Sequence, residues 1–237
     1  MHTSARHLLC HLVALSFAIP TVGWSQNELF SEDFEGASVD TKLTEQGFWQ
    51  KSHMTSGNVT VEKEESNQYA ASSYGENEFC QIDSAVLNLT PGSVVVLSFD
   101  VYLESEQSSV GLGIGPGGLV PSIVGVVQGT FAAQTSRDWA TVSHARSPSG
   151  VAVRAGAGQW IRIQSRWDLA DNDGLGSATL EIKNTGEESF TPLFFDVQQS
   201  QEKASLNIHQ EHPVTAWRRV FFRLKDARID NLRIAIE

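Results

Sequence analysis

Cysteine is almost missing from this chain. There are two in 237 residues. Cys10 lies in an N-terminal apolar run, so only Cys80 remains once that run is removed. No intramolecular disulfide is then available, and stability has to come from the size of the core, with a bound metal as a further source. Basic residues are scarce too, 17 against 28 acidic, for a net charge of −11. That balance argues against nucleic acid and against polyanions held by bulk charge, and it suits neutral sugars or cations. Helical periodicity is the third lack. Beyond residue 26 no stretch of normal helix length spaces its apolar residues by three and four, and there is no repeat and no heptad.

Residues 1–26 read as a secretory leader. Arg6 precedes the apolar series Leu8, Leu9, Leu12, Val13, Leu15, Phe17 and Ile19, Pro20 breaks it, and Gly23 and Ser25 sit at the −3 and −1 spacing that signal peptidases accept. The run is too short for a permanent anchor, so we expect no membrane span after its removal and a secreted, periplasmic or extracellular protein. Cys10 lacks the small residues that precede a lipid-modified cysteine. Loss of Arg6 makes the chain one unit more negative. Asn58-Val59-Thr60 and Asn88-Leu89-Thr90 fit the N-glycosylation sequon, which matters only in a eukaryotic secretory pathway.

What the chain has in quantity is alternation. Val95, Leu97, Phe99, Val101 and Leu103 alternate with Val96, Ser98, Asp100, Tyr102 and Glu104. Ile161, Ile163, Trp167 and Leu169 are expected to face inward, as are Ala178, Leu180 and Ile182 after the turn Asp171-Asn172-Asp173-Gly174. Val220, Phe222 and Leu224 repeat the pattern. Short runs of this kind, bounded by Gly, Asn, Asp, Ser and Pro, predict an all-β chain: a two-sheet antiparallel β-sandwich (jelly roll), one domain over residues 27–237. The glycine-rich stretch 108–128 fits either close strand approach or a loose rim, and 198–204 reads as a polar loop. In the last strand, period two puts Asp230 in phase with Leu232, Ile234 and Ile236. A carboxylate facing a core needs a cation or hydrogen-bond donors.

Phe30-Ser31-Glu32-Asp33-Phe34-Glu35-Gly36 and the closing Arg228-Ile229-Asp230-Asn231-Leu232-Arg233-Ile234 resemble the first and last strands of secreted β-sandwich modules, and Gln159-Trp160-Ile161-Arg162-Ile163 resembles a central strand of the same group. This is the concanavalin A-like lectin/glucanase superfamily, together with calcium-containing carbohydrate-binding jelly rolls. The resemblance implies a structural Ca²⁺ held by Glu35 and Asp230, with Glu62, Glu64 or Glu65 as a third ligand. Hard carboxylate oxygens suit that ion. The alternative is that Asp230 meets backbone donors, Arg228 or Arg218, while Glu35 is solvated.

For ligand binding, aromatic rings flanked by carboxylates and arginines are the composition of a sugar-binding face. Asp100 and Tyr102 share one strand face, Trp160 and Arg162 a second, Arg219 and Phe221 a third. A common surface requires these strands to be neighbours; otherwise Trp160 and Phe221 are covered and the arginines solvated. For catalysis the sequence offers less. The E-x-D-x-(x)-E spacing of the glucanases does not occur, and no G-x-S-x-G elbow is present. Gln210 and His212 fit the bare Gln-x-His spacing of alginate-lyase-like jelly rolls, but Pro213 follows. His209, Glu211 and His212 are read as loop residues, Asp171–Gly174 as a turn, and Cys80 as a buried thiol. We therefore expect a non-catalytic carbohydrate-binding module whose partner is a polysaccharide or glycan. The alternatives are a structural extracellular or envelope protein and a divergent lyase or hydrolase.

Overall fold

The structure, a computed structural model, describes residues 27–51, 58–72, 80–85, 87, 89, 92–115, 123–134, 142–147, 149–170, 177–197, 201–203, 206–207 and 219–237. The leader, the Asn88 sequon, the Asp171–Gly174 turn, Arg218 and the His209–His212 group lie outside these residues. So does the side chain of Cys80.

Among the described residues, seventeen strands form two facing layers. The first is built on β17 (Ala227–Ile236), whose one edge pairs along its length with β6 (Val94–Leu103). The layer continues through β11 (Trp160–Asp168) and β12 (Ser177–Asn184) to β13 (Thr191–Val197) and the short β15 (Leu206–Asn207). The other edge of β17 is shared. Its C-terminal half takes β1 (Asn27–Glu32), and Arg228 and Ile229 take β4 (Asn67–Ser72), which leads to β3 (Val59–Glu64). The second layer runs β2 (Trp49–Lys51), β5 (Cys80–Ser84), β16 (Arg219–Lys225), β7 (Ser109–Gly115), β8 (Ile123–Val127), β9 (Thr130–Gln134) and β10 (Val142–Arg146). Because β10 pairs with β9 and also with β13, the layers join at that margin and the whole curves nearly into a barrel. The fold is an antiparallel β-sandwich of jelly-roll type. Among the described residues no helix is long and apolar enough to cross a membrane.

Alternation determines the core. Val95, Leu97, Phe99, Val101 and Leu103 are fully buried, and they meet Val220, Phe222 and Leu224 from the opposite layer. Phe222 lies edge-on to Phe99 at 5.6 Å and to Trp49 at 5.4 Å between ring centroids. Burying each such side chain contributes about 1.5–3 kcal/mol. The hairpin β11–β12 holds unbroken register from Ile161 opposite Asn184 to Asp168 opposite Ser177. In the glycine-rich stretch the strands approach closely: a Cβ at Gly125 would lie 2.1 Å from the Val110 carbonyl oxygen.

Three features depart from the sequence reading. The polar segment 198–204 contains a strand, β14 (Gln201–Lys203), because β13 offers it backbone partners. The alanine-containing β4 is a strand although alanine is depleted in sheets. Most important, Asp230 is not in phase with Leu232. Asp230 pairs with Asp100 and Arg233 with Ser98, so Asn231 and Leu232 together face the single Phe99. This is a β-bulge with Asn231 in the left-handed region, φ 48°. Before it Ala227 and Ile229 face the core; after it Leu232 and Ile234 do. The extra residue resets the parity, and Asp230 projects from the outer face of the first layer.

Candidate functional site

That outer face gathers most of the residues selected from sequence. Trp160 pairs with Tyr102 and Arg162 with Asp100 across β11 and β6, so the two predicted faces are one. Arg162 holds Asp100 through two hydrogen bonds, Nε to Oδ1 and Nη2 to Oδ2, both 2.6 Å. The bond to Asp100 raises the Arg162 pKa despite partial burial. Asn231 adds a third bond, Nδ2 to Asp100 Oδ2 at 2.9 Å, while its backbone N–H donates to Asp230 Oδ1 at 2.6 Å. The bulge residue therefore ties the two aspartates together.

Beside this pair lies an aromatic cluster that sequence reasoning did not assemble. The Trp160 ring centroid is 5.6 Å from Tyr102 and 6.1 Å from Tyr69 on β4. Arg228 sits between the two tyrosines, its guanidinium carbon 4.8 Å from each ring centroid. Glu64 and Glu104 accept its hydrogen bonds from either side. Burial works against the Arg228 charge, and the bonds to Glu104 and Glu64 outweigh it, so its pKa is raised. Burial pushes the Tyr69 phenol up as well. Tyr69 escaped the sequence reading because β4 did.

Two hollows flank the Asp100–Arg162 pair. One, about 280 Å³, is lined by Asp100, Trp160, Arg162, Lys183 and the turn Asn184–Glu187. That turn is fastened to the sheet: Thr185 Oγ1 donates to the Trp160 carbonyl at 2.9 Å, and Glu187 accepts from both Asn184 N and Asn184 Nδ2. The second hollow, about 450 Å³, runs over Arg162, Gln164, Lys183 and Phe190 to Ser98, Asn231 and the Ser31–Asp33 segment. Arg162 and Lys183 belong to both.

Arg219 and Phe221 do not join this surface. They stand on β16, in the opposite layer, which corrects the expectation that all three strands share a face. Phe221 is fully buried, and Arg219 donates to the Ser84 carbonyl at 2.6 Å and to Gln50 Oε1 at 3.0 Å. Their neighbour Arg223 is buried too, and burial lowers its pKa to about 10.

The carboxyls of Glu35 and Asp230 are brought together by consecutive residues of β4. Asn67 Nδ2 donates to Asp230 Oδ2 at 3.1 Å, and the Gln68 backbone N–H donates to Glu35 Oε1 at 2.9 Å. Asp230 is 4 % exposed, and its pKa is raised, chiefly by burial. The bonds from Asn231 and Asn67 oppose that rise; the charges of Asp100 and Glu35 add to it. Neither Arg228 nor an edge position supplies its partner. Gln68, 7 % exposed, gives its amide N–H to the Glu35 carbonyl at 2.7 Å, and its Oε1 has no donor among the described residues. Of the three glutamates considered as a further metal ligand, Glu64 is taken by Arg228. Among the described residues no group of three or more His, Cys, Asp or Glu converges. Any ion here would complete its shell with amide and backbone oxygens.

No protein-family model matches the chain, and no curated protein matches it in sequence. Solved structures do match in shape. An endo-1,3-beta-glucanase from Streptomyces sioyaensis superposes with a TM-score of 0.51 at 9 % identity, over 92 % of this chain and 98 % of its own. The chain shares that glucanase's fold. A protein of unknown function from Shewanella oneidensis MR-1 matches with TM-score 0.46 and 11 % identity over 79 % of this chain and 77 % of its own. The metal-free carbohydrate recognition domain of Emp46p matches with TM-score 0.41 and 10 % identity over 87 % and 95 %. The likeness is one of architecture.

Proposed function

We propose that this protein is a secreted, non-catalytic carbohydrate-binding module whose ligand lies on the outer face of the first layer. The observation that carries the reading is Trp160, half-buried against Tyr69 and Tyr102 and lining a hollow with the Asp100–Arg162 pair. An indole packed against two phenols is a rigid apolar wall, and the adjoining guanidinium, carboxylate and amides offer fixed donors and acceptors for hydroxyls. The glucanase of like fold is a carbohydrate protein by name, which supports the same class of ligand. A glycosidase needs two carboxyl groups across a cleft. On this face Asp100 is held by Arg162 and Asp230 is buried, which favours binding over hydrolysis.

The test is retention on a panel of insoluble polysaccharides and glycans. The parent is expected to be retained by at least one, and Trp160→Ala to lose affinity severalfold with an unchanged fold. A parent that no glycan retains would sink the reading.

A structural Ca²⁺ belongs to the same proposal. Glu35, Asp230 and the donor-free Gln68 Oε1 fit a hard cation that takes oxygen ligands. Bound to the folded state alone, it stabilises by mass action. Starting from demetallated protein, millimolar Ca²⁺ is expected to raise Tm and a chelator to reverse the rise. Asp230→Asn, nearly isosteric, should abolish the response. A parent melt indifferent to both additions removes the ion.

A further inference from the structure

The two hollows beside Arg162 share a second cation, and its surroundings differ from those of its neighbours. Arg162 is bound by Asp100, and Arg233 by Glu28 at 2.8 Å. The carboxylates nearby are also occupied. Glu32 Oε1 accepts from Phe34 N, Asp33 Oδ1 from Glu35 N, Glu181 Oε1 from Gln164, and Glu187 from Asn184. Lys183 is different. Its ammonium lies 5.3 Å from the centroid of the Phe190 ring and forms no ion pair with a described residue. The ring removes water from one side of the charge and leaves the other side turned to the hollows. An ammonium so placed gains most from an anion delivered by a ligand.

Trp160 and Lys183 line the same 280 Å³ hollow. From this we infer that the site takes a uronic-acid unit of an acidic polysaccharide, its pyranose ring against Trp160 and its carboxylate on Lys183. The inference rests on the carbohydrate-binding reading and narrows it to a substrate class. The chain's net charge of −11 repels a polyanion at long range, so recognition depends on this short-range contact rather than on bulk attraction. Gln164, Ser98 and Asn231, which line the larger hollow, supply neutral hydrogen-bonding groups for the neighbouring sugar.

Affinity electrophoresis of the full chain tests this, with polygalacturonate and alginate each set against its carboxyl-reduced counterpart. The parent should be retarded more by the acidic form of at least one pair. Lys183→Gln should weaken that interaction about tenfold, the scale of one charge-assisted hydrogen bond. Its binding to the reduced polymer should stay within about twofold of the parent's. Lys183 is half-buried at the surface, so the variant is expected to keep its Tm. Equal retardation by acidic and reduced forms, or a Lys183→Gln protein that still prefers the acid, overturns the inference and leaves the carbohydrate reading standing. So does retention on neutral glycans of the panel alone. If nothing is retained, neutral or acidic, both fall.

Discussion

Inserting one alanine between Asn231 and Leu232 should leave the protein unable to fold. The bulge absorbs one extra residue, and a second moves everything after it by one place along β6. Fixing Ala227 and Ile229 inward then turns Leu232 and Ile234 out and drives Arg233 in. Leu232 and Ile234 are fully buried and Arg233 is exposed. The exchange forfeits about 1.5–3 kcal/mol for each aliphatic side chain, and burying an unpaired guanidinium costs several more. β1 is affected as well, because Phe30 pairs with Ile234. The total approaches or exceeds the stability of an ordinary domain, about 5–15 kcal/mol. Asn231→Gly supplies the control. Glycine takes positive φ freely, so only the amide bond to Asp100 is lost, about 1 kcal/mol. Urea denaturation followed by near-UV circular dichroism reads both. An insertion variant unfolding within about 1 kcal/mol of the parent would mean the strand tolerates the slip, contrary to the register argument.

Arg228→Ala is expected to cost both stability and ligand retention. The guanidinium separates Tyr69 from Tyr102, and both phenols brace Trp160. Two cation–π contacts of a mostly buried arginine contribute about 1–2 kcal/mol together. The bonds to Glu64 and Glu104 add little, because those carboxylates stand largely in water. A loss of about 2 kcal/mol in the urea midpoint is expected, with a fall in glycan retention comparable to that of Trp160→Ala. Arg228→Lys restores charge without a planar group to stack, so it should recover only part of either effect. An alanine variant equal to the parent in both measurements would reduce the cluster to decoration.

Most of the sandwich was legible because period two is a local property. Val95 to Leu103 and Ile161 to Leu169 announce their inward sides without knowledge of any partner. Adjacency across layers is not local, and there the reading failed. Nothing within Arg219–Lys225 tells that β16 lies opposite β6, so Arg219 and Phe221 were grouped with residues on the far side of the molecule. Asp230 failed for another reason. Ile229 and Leu232 are three apart, and both are buried. Strict alternation cannot bury both, so the pair was itself a sign of a bulge, with Asn231, a residue that tolerates positive φ, between them. Lys183 carried no such sign. Its significance depends on Phe190 beside it and on the neighbouring carboxylates Asp100 and Glu187 being bonded to Arg162 and Asn184, which only the packed turn reveals.

The joining of the two layers through β10 has a consequence for behaviour in a crowded milieu. A sandwich with free margins is open to strand exchange with its neighbours, and exposed edges seed aggregates. Here β10 seals one margin. On another, the chain folds back over β3: Asp40 donates to the Val61 carbonyl, and Val61 to that of Thr41, at 2.8 and 2.9 Å. The edge strand β2 is three residues long. Margins shortened or covered in this way leave few unpaired backbone groups there for a neighbouring molecule to extend as a sheet.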